Sequence, residues 1–177
     1  MYTNRLETKD LIITKAKLED ADMMFANFWS DKQSAEYMLW KPLETLDQAK
    51  EKMVRTIDRQ KDSFTYTVYE KKTMQPIGIA GFIEVEPGVY EDCGIGLGSK
   101  FCRKGYGTQI MQVFIDYIFN ELKAKKILYS CFRENVASHK LVAKFNFNYI
   151  FTIADVREWD GLEYGVDYYQ MLNQNND

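Results

Sequence analysis

A single histidine, three cysteines and the absence of any long apolar run set the first limits on this chain. His139 stands alone beside Lys140 on an amphipathic stretch, where a solvent-facing position is expected. Cys93, Cys102 and Cys131 are odd in number and lack metal-ligand spacing. They fit a reducing compartment rather than a disulfide framework, and no metal site is expected. No apolar run approaches the roughly 18 residues of a membrane span. Residues Met1 to Arg5 hold no apolar signal core, so a cytoplasmic location is expected. A net charge of −3 argues against bulk nucleic-acid binding. Internal repeats and low-complexity linkers are missing too.

What is present fits one folded domain over residues 1–177. Hydrophobic residues at 46% and charged residues at 28% place the chain well away from disorder. At this length a domain buries roughly 70% of its extended-chain surface, enough for one core.

Periodicity supplies the elements. Leu11 to Ile13 reads as a strand and Leu18 to Trp29 as a helix. Thr45 and Gln48 form a capping box for a second helix, whose stripe is Leu46, Ala49, Met53 and Ile57. Residues 30–44 read as irregular. Residues 64–70, 77–85 and 89–97 read as an antiparallel meander. A long helix carries Ile110, Met111, Phe114, Ile115, Ile118, Phe119 and Leu122 on one face. A strand at 127–132, a helix from Asn135 to Lys144 and two strands joined at Asp160-Gly161 complete the order β-α-α-β-β-β-α-β-α-β-β. The expected class is α/β (α+β): one mixed central sheet with helices on both faces. The connection from Leu97 through the long helix to Ile127 should be a parallel crossover.

The most informative stretch is Gly94 to Thr108, a strand that breaks into a basic loop studded with glycine and then enters the long helix. The first N–H groups of a helix lack internal partners, and the helix dipole makes that end positive. Gly105 and Gly107 let a large anion approach the backbone, and Arg103 and Lys104 add charge. A diphosphate-bearing ligand fits this pattern. Neither a P-loop nor a Rossmann fingerprint is present, and ATP use lacks a Mg²⁺-ligand constellation.

These features together resemble the GNAT superfamily of acyl-CoA-dependent N-acetyltransferases over nearly the whole chain. The branch with RimJ/RimL-type ribosomal-protein and spermidine acetyltransferases is the most similar. Leu6-Glu7-Thr8-Lys9-Asp10-Leu11-Ile12-Ile13 is similar to that branch's L-E-T-x-R-L-x-L-R start. Cys102-Arg103-Lys104-Gly105-Tyr106-Gly107 resembles the Q/R-x-x-G-x-G/A pyrophosphate loop and occupies its place. Asn135-Val136-Ala137-Ser138 and Lys144-Phe145-Asn146-Phe147 resemble N-x-x-S and E-K-x-G-F. There are departures. Cys102 stands where Gln or Arg is usual, Asn146 replaces a glycine, and Val142 stands where many members carry a tyrosine acid.

The resemblance implies acetyl-CoA as acyl donor and direct attack by a primary amine, either a protein N-terminus or a small amine such as a polyamine or aminoglycoside. It implies cofactor contacts at Ile95, Gly96, Leu97, Cys102, Arg103, Lys104, Gly105, Tyr106, Gly107, Thr108 and Asn135. Asn135 and Ser138 are expected near the pantetheine and thiolate, with a plain helix cap as the alternative for Asn135. Asp92 is the favoured base, ahead of Glu84, Glu86 and Glu91. An N–H near Ile95 to Leu97 would serve the developing oxyanion. Tyr37, Trp40, Tyr149, Trp159 and Tyr164 are candidates for an acceptor cleft or for the core. A CoA-binding module without turnover is the alternative from another class. The chain is expected to act as a monomer or homodimer, without nucleic-acid or membrane partners.

Overall fold

A computed structural model describes residues 3–174. The two first residues of the leader reading and the end of the polar tail, residues 175–177, lie outside them. Among the described residues the strands form an eight-stranded mixed sheet, ordered β1-β2-β3-β4-β5-β6-β8-β7. The chain divides into two compact units. One runs to Ile83 and resumes over Cys93–Val113; the other holds Glu84–Asp92 and everything from Phe114 onward.

The first unit opens with a strand that the sequence reading omitted. Strand β1 (Arg5–Glu7) pairs antiparallel with β2 (Leu11–Thr14), Leu6 opposite Ile13. Three residues, two of them charged, are too short to show a period. The first helix, α1 (Ala21–Met24), continues into a π turn over Phe25–Trp29. Ser30 N–H there reaches back to the Phe25 carbonyl at 3.1 Å. A short helix α2 (Lys32–Ala35) occupies part of the stretch read as irregular. Helix α3 (Leu46–Gln60) begins at the expected capping box, with Gln48 N–H on Thr45 Oγ1 at 3.3 Å.

Strand β3 (Phe64–Glu70) is buried at every residue, so both its faces are covered. Alternation explains how. Thr67 and Tyr69 turn to one side, where Gln60 of α3 bonds Thr67 and Tyr69 bonds Asp20. Glu70 turns to the other, where it meets α4 (Tyr106–Asp116). Strand β3 pairs antiparallel with β4 (Gln75–Glu86), as the meander predicts. The apolar core of this unit gathers Met24, Phe28, Trp29, Ala49 and Met53. Each large side chain there contributes about 1.5–3 kcal/mol on burial.

In the second unit, the first residues of β5 (Val89–Leu97) pair in parallel with β6 (Lys126–Phe132), Tyr90 opposite Ile127, as the crossover requires. Helix α4 ends in another π turn over Tyr117–Glu121. Helix α5 (Val136–Lys144) leads through Asn146, at φ +57°, into β7 (Asn148–Val156). Strand β8 (Glu163–Leu172) lies between β6 and β7, antiparallel to both. The turn before it is longer than the two-residue hairpin expected. It spans Arg157 to Leu162, closed by Arg157 N–H on the Leu162 carbonyl at 2.8 Å and by an Arg157–Asp160 ion pair. Strand β7 is the sheet's edge, and Tyr149, Phe151 and Ile153 on it are exposed.

Candidate active site

The loop of the first unit is built from backbone turns and one buried acid. Gly98 N–H donates to the Ile77 carbonyl at 2.9 Å, and a tight turn at Ser99–Phe101 follows. A side chain cannot be added at Gly98, since its Cβ would lie 1.9 Å from the Asn27 carbonyl oxygen. Asn27 is held there by its own amide, which donates to the Pro76 carbonyl at 2.8 Å. The π turn that carries Asn27 thus abuts the start of the loop, a common use of such turns.

Asp31 ties the same place to α2. Its carboxylate accepts from Ser99 N–H at 2.8 Å, from Ser34 Oγ at 2.6 Å and from Gln33 N–H at 3.0 Å. Burial works against its charge, but the bonds from Ser34 and Ser99 prevail and bring the carboxyl to about 2. Ser34 Oγ also reaches the Leu97 carbonyl at 3.2 Å, which fixes the end of β5. Ile95, Gly96 and Leu97 therefore sit on an anchored strand.

Cys102 to Gly105 are exposed. Arg103 and Gly105 both have positive φ, +61° and +79°. An added Cβ at Gly105 meets nothing within 4 Å, so glycine serves the backbone angle there, not space. Helix α4 then starts, with Gln109 N–H on the Gly105 carbonyl at 3.1 Å. Tyr106, Gly107 and Thr108 form its first turn, whose amides point along the axis toward the loop.

Lys104 does not extend its charge outward from the loop. Its ammonium pairs with Glu70 at 3.4 Å and lies over Phe101 and Tyr106. Arg103 has no ion pair or side-chain hydrogen bond among the described residues and is an available cation of the loop. Glu70, buried, also accepts from Tyr106 Oη at 2.7 Å and Thr73 Oγ1 at 2.9 Å. The Tyr106 bond, foremost, keeps the Glu70 carboxyl below its usual range. Burial, then the Glu70 bond, pushes the Tyr106 phenol up to about 12. Glu70 escaped the sequence reading because its partners are 34 and 36 residues away.

The second unit holds the other expected residues. Asn135 caps α5, its Oδ1 accepting from Ser138 N–H at 3.1 Å. Ser138 Oγ accepts from Tyr129 Oη at 3.4 Å. Burial and then the charge of Asp92 push the Tyr129 phenol far up, so it stays protonated. The same charge acts on Cys131, already pushed up to about 12 mainly by burial. Asp92 thus shares a sheet face with Tyr129, Cys131 and α5. Glu91, next along the strand, faces the other way and acts on Tyr168; burial raises its own carboxyl. Val142 packs in the core at 2% exposure.

His139 does not face solvent as expected. It is half-buried, with Nδ1 2.8 Å from Tyr169 Oη and Nε2 2.9 Å from the Arg133 carbonyl. A carbonyl only accepts, so Nε2 carries a proton, and in the neutral ring Nδ1 accepts from the tyrosine. Of the cleft aromatics, Trp40 lines a cavity in the first unit with Trp29, which was not singled out. Tyr149 is on the exposed edge strand, Trp159 stacks on Arg157, and Tyr164 stacks on Phe132 in the interior.

An antiparallel meander, a positive-φ loop opening a helix, and a parallel crossover after it are the marks of one class, the acyl-CoA-dependent acetyltransferases. Residues 10–148 match the Acetyltransferase (GNAT) domain. A curated relative, the uncharacterized N-acetyltransferase p20 of Bacillus licheniformis, is 32% identical over 80% of this chain and 81% of its own length. The chain belongs to the GNAT N-acetyltransferase family. A GCN5-related N-acetyltransferase of Brucella melitensis shares the fold at TM-score 0.83 and 18% identity, over 96% of this chain and 78% of that one. The ribosomal-protein-S5-alanine acetyltransferase of Vibrio fischeri does so at TM-score 0.75 and 16% identity, over 97% of each chain. The family uses acetyl-CoA and an amine acceptor. Among the described residues, no helix is long and apolar enough to cross a membrane.

Proposed function

We propose that this chain moves an acetyl group from acetyl-CoA to a primary amine by direct attack, with a protein N-terminus as the leading acceptor. The observation that carries the cofactor half is the loop itself. Two residues at positive φ, Arg103 and Gly105, lead into the first turn of α4, and a buried carboxylate holds that turn in place. Backbone amides so arranged suit a diphosphate. The amides from Arg103 to Thr108 take the diphosphate, and Arg103 supplies the charge that Cys102 does not. Acetyl-CoA, when bound, supplies the acetyl group as a thioester.

The N–H groups of Ile95 to Leu97 are assigned to the thioester carbonyl oxygen. Asp92 is assigned to take the proton from the attacking amine, because only a neutral amine attacks. Asn135 and Ser138 are assigned to the pantetheine and sulfur end. Tyr129, held protonated, donates to Ser138 Oγ and so leaves the serine's own hydroxyl hydrogen for the sulfur end.

Calorimetric titration with acetyl-CoA, CoA and ADP, followed by thiol release with an amine panel, tests this reading. Micromolar acetyl-CoA binding and amine-dependent CoA release support it. Binding without release for every amine leaves a CoA-binding module instead.

A further inference from the structure

A cavity of about 290 Å³ in the first unit lies under α3, lined by Trp29, Trp40, Lys52, Arg55, Arg59 and Gly94 with their neighbours. Lys52, Arg55 and Arg59 fall at i, i+3 and i+7 on the helix, a single stripe about 10 Å long. Among the described residues Lys52 and Arg59 have no carboxylate partner, and Arg55 reaches Glu51 only at 3.9 Å between exposed side chains. The Lys52 ammonium sits 4.5 Å over the Trp40 ring and 5.5 Å over that of Trp29. Burial, with the charges of Arg55 and Arg59, brings Lys52 down to about 8. The indole Nε1 of Trp40 is buried without a hydrogen-bond acceptor. Lys52, Arg59 and an orphan donor therefore meet no anion from the protein, and Arg55 meets only a distant one, an arrangement that an anionic ligand would relieve. Cys93 and Gly94, which also line the cavity, directly precede the Ile95 to Leu97 segment.

We infer that this cavity receives the acceptor and selects amines that carry their own carboxylates, with Lys52, Arg55 and Arg59 holding those carboxylates while the amine points to β5. The inference rests on the acetyltransferase reading above. Polycations are disfavoured because the same three charges repel them. Two sources share the chemistry: a free acidic amino acid and an acidic peptide N-terminus. The length of the stripe favours the peptide, since an extended chain advances about 3.3 Å per residue and three residues span it.

The test is a fluorescence titration, read from tryptophan, of the full chain with Ala-Glu-Glu-Glu, Ala-Lys-Lys-Lys and free glutamate. The acidic peptide is expected to bind at least tenfold more tightly than the basic one, with an affinity that falls as salt is added. Arg59→Glu and Arg55→Glu, checked for folding by thermal melting, are expected to abolish that preference. Equal affinities, or a preference that survives both substitutions, overturns the inference. Glutamate binding as well as the acidic peptide keeps the carboxylate site and assigns it to free amino acids. CoA release with the same peptides separates the two readings. Faster acetylation of the basic peptide overturns the cavity's selectivity and leaves the acetyltransferase standing. Selective binding of the acidic peptide without any release supports the anion site while removing the catalytic reading.

Discussion

The carboxylate of Glu70, at the end of β3, accepts a 2.7 Å hydrogen bond from the phenol of Tyr106, the first residue of α4. One bond thus joins a central strand to the helix start that the diphosphate is proposed to use. Thr73 and Lys104 complete the shell of this buried acid. Removing one partner of a buried charge-assisted bond costs about 1.5–3 kcal/mol. Tyr106→Phe and Glu70→Gln are each expected to lower stability by an amount in this range and to weaken acetyl-CoA binding. Because the two residues act as a pair, the double variant should lose less than the sum. Denaturant melts and calorimetry on the three variants check this.

Acid should loosen the same region in two stages. The folded Glu70 carboxyl lies below its ordinary 4.5, so its contribution is complete above that pH and fades as the pH falls below it. Asp31 follows, its contribution present above 3.8 and lost as the pH falls toward about 2. Allowing for solvent screening, the Asp31 part is about 1–2 kcal/mol. Melting temperature against pH is expected to drop between pH 4.5 and 2 in the parent, and to drop less in Asp31→Asn and Glu70→Gln. A parallel fall in all three would assign the acid sensitivity elsewhere.

Cys102 invites a gain-of-function test. It is exposed in the loop and stands where the family pattern has Gln or Arg. Burial of its sulfur and the nearby charge of Asp31 raise its thiol, so little thiolate exists at neutral pH and alkylation should be slow. Cys102→Arg adds a charged contact worth about 1.5–3 kcal/mol. The expected result is acetyl-CoA binding roughly ten- to a hundredfold tighter by calorimetry. Unchanged affinity would mean that Arg103 already fills that role.

Much of this was legible in the sequence, and the reason is local. The capping box of α3 and the crossover strands depend on residues near each other or on a strict period. What escaped depends on pairing across the chain. Glu70 matters because Tyr106 reaches it. His139 is held by Tyr169, 30 residues on. The cation stripe of α3 reads in sequence as an ordinary charged helix face. Only the fold sets Trp29 and Trp40 against Lys52.

Two glycines of the loop region separate binding from folding. At Gly98 a side chain collides with the Asn27 carbonyl, so Gly98→Ala is expected to lower the melting temperature outright. At Gly105 the space is open, and the cost of a side chain is backbone strain at φ +79°, on the order of 1 kcal/mol. Gly105→Ala should therefore fold and bind acetyl-CoA with a modest loss. Gly105→Glu places a negative charge where the diphosphate is proposed to sit, and like charges brought together cost several kcal/mol. It should stay folded by circular dichroism, yet bind acetyl-CoA at least about a hundredfold more weakly. If Gly105→Glu matched Gly105→Ala in affinity, the diphosphate could not lie at the start of α4.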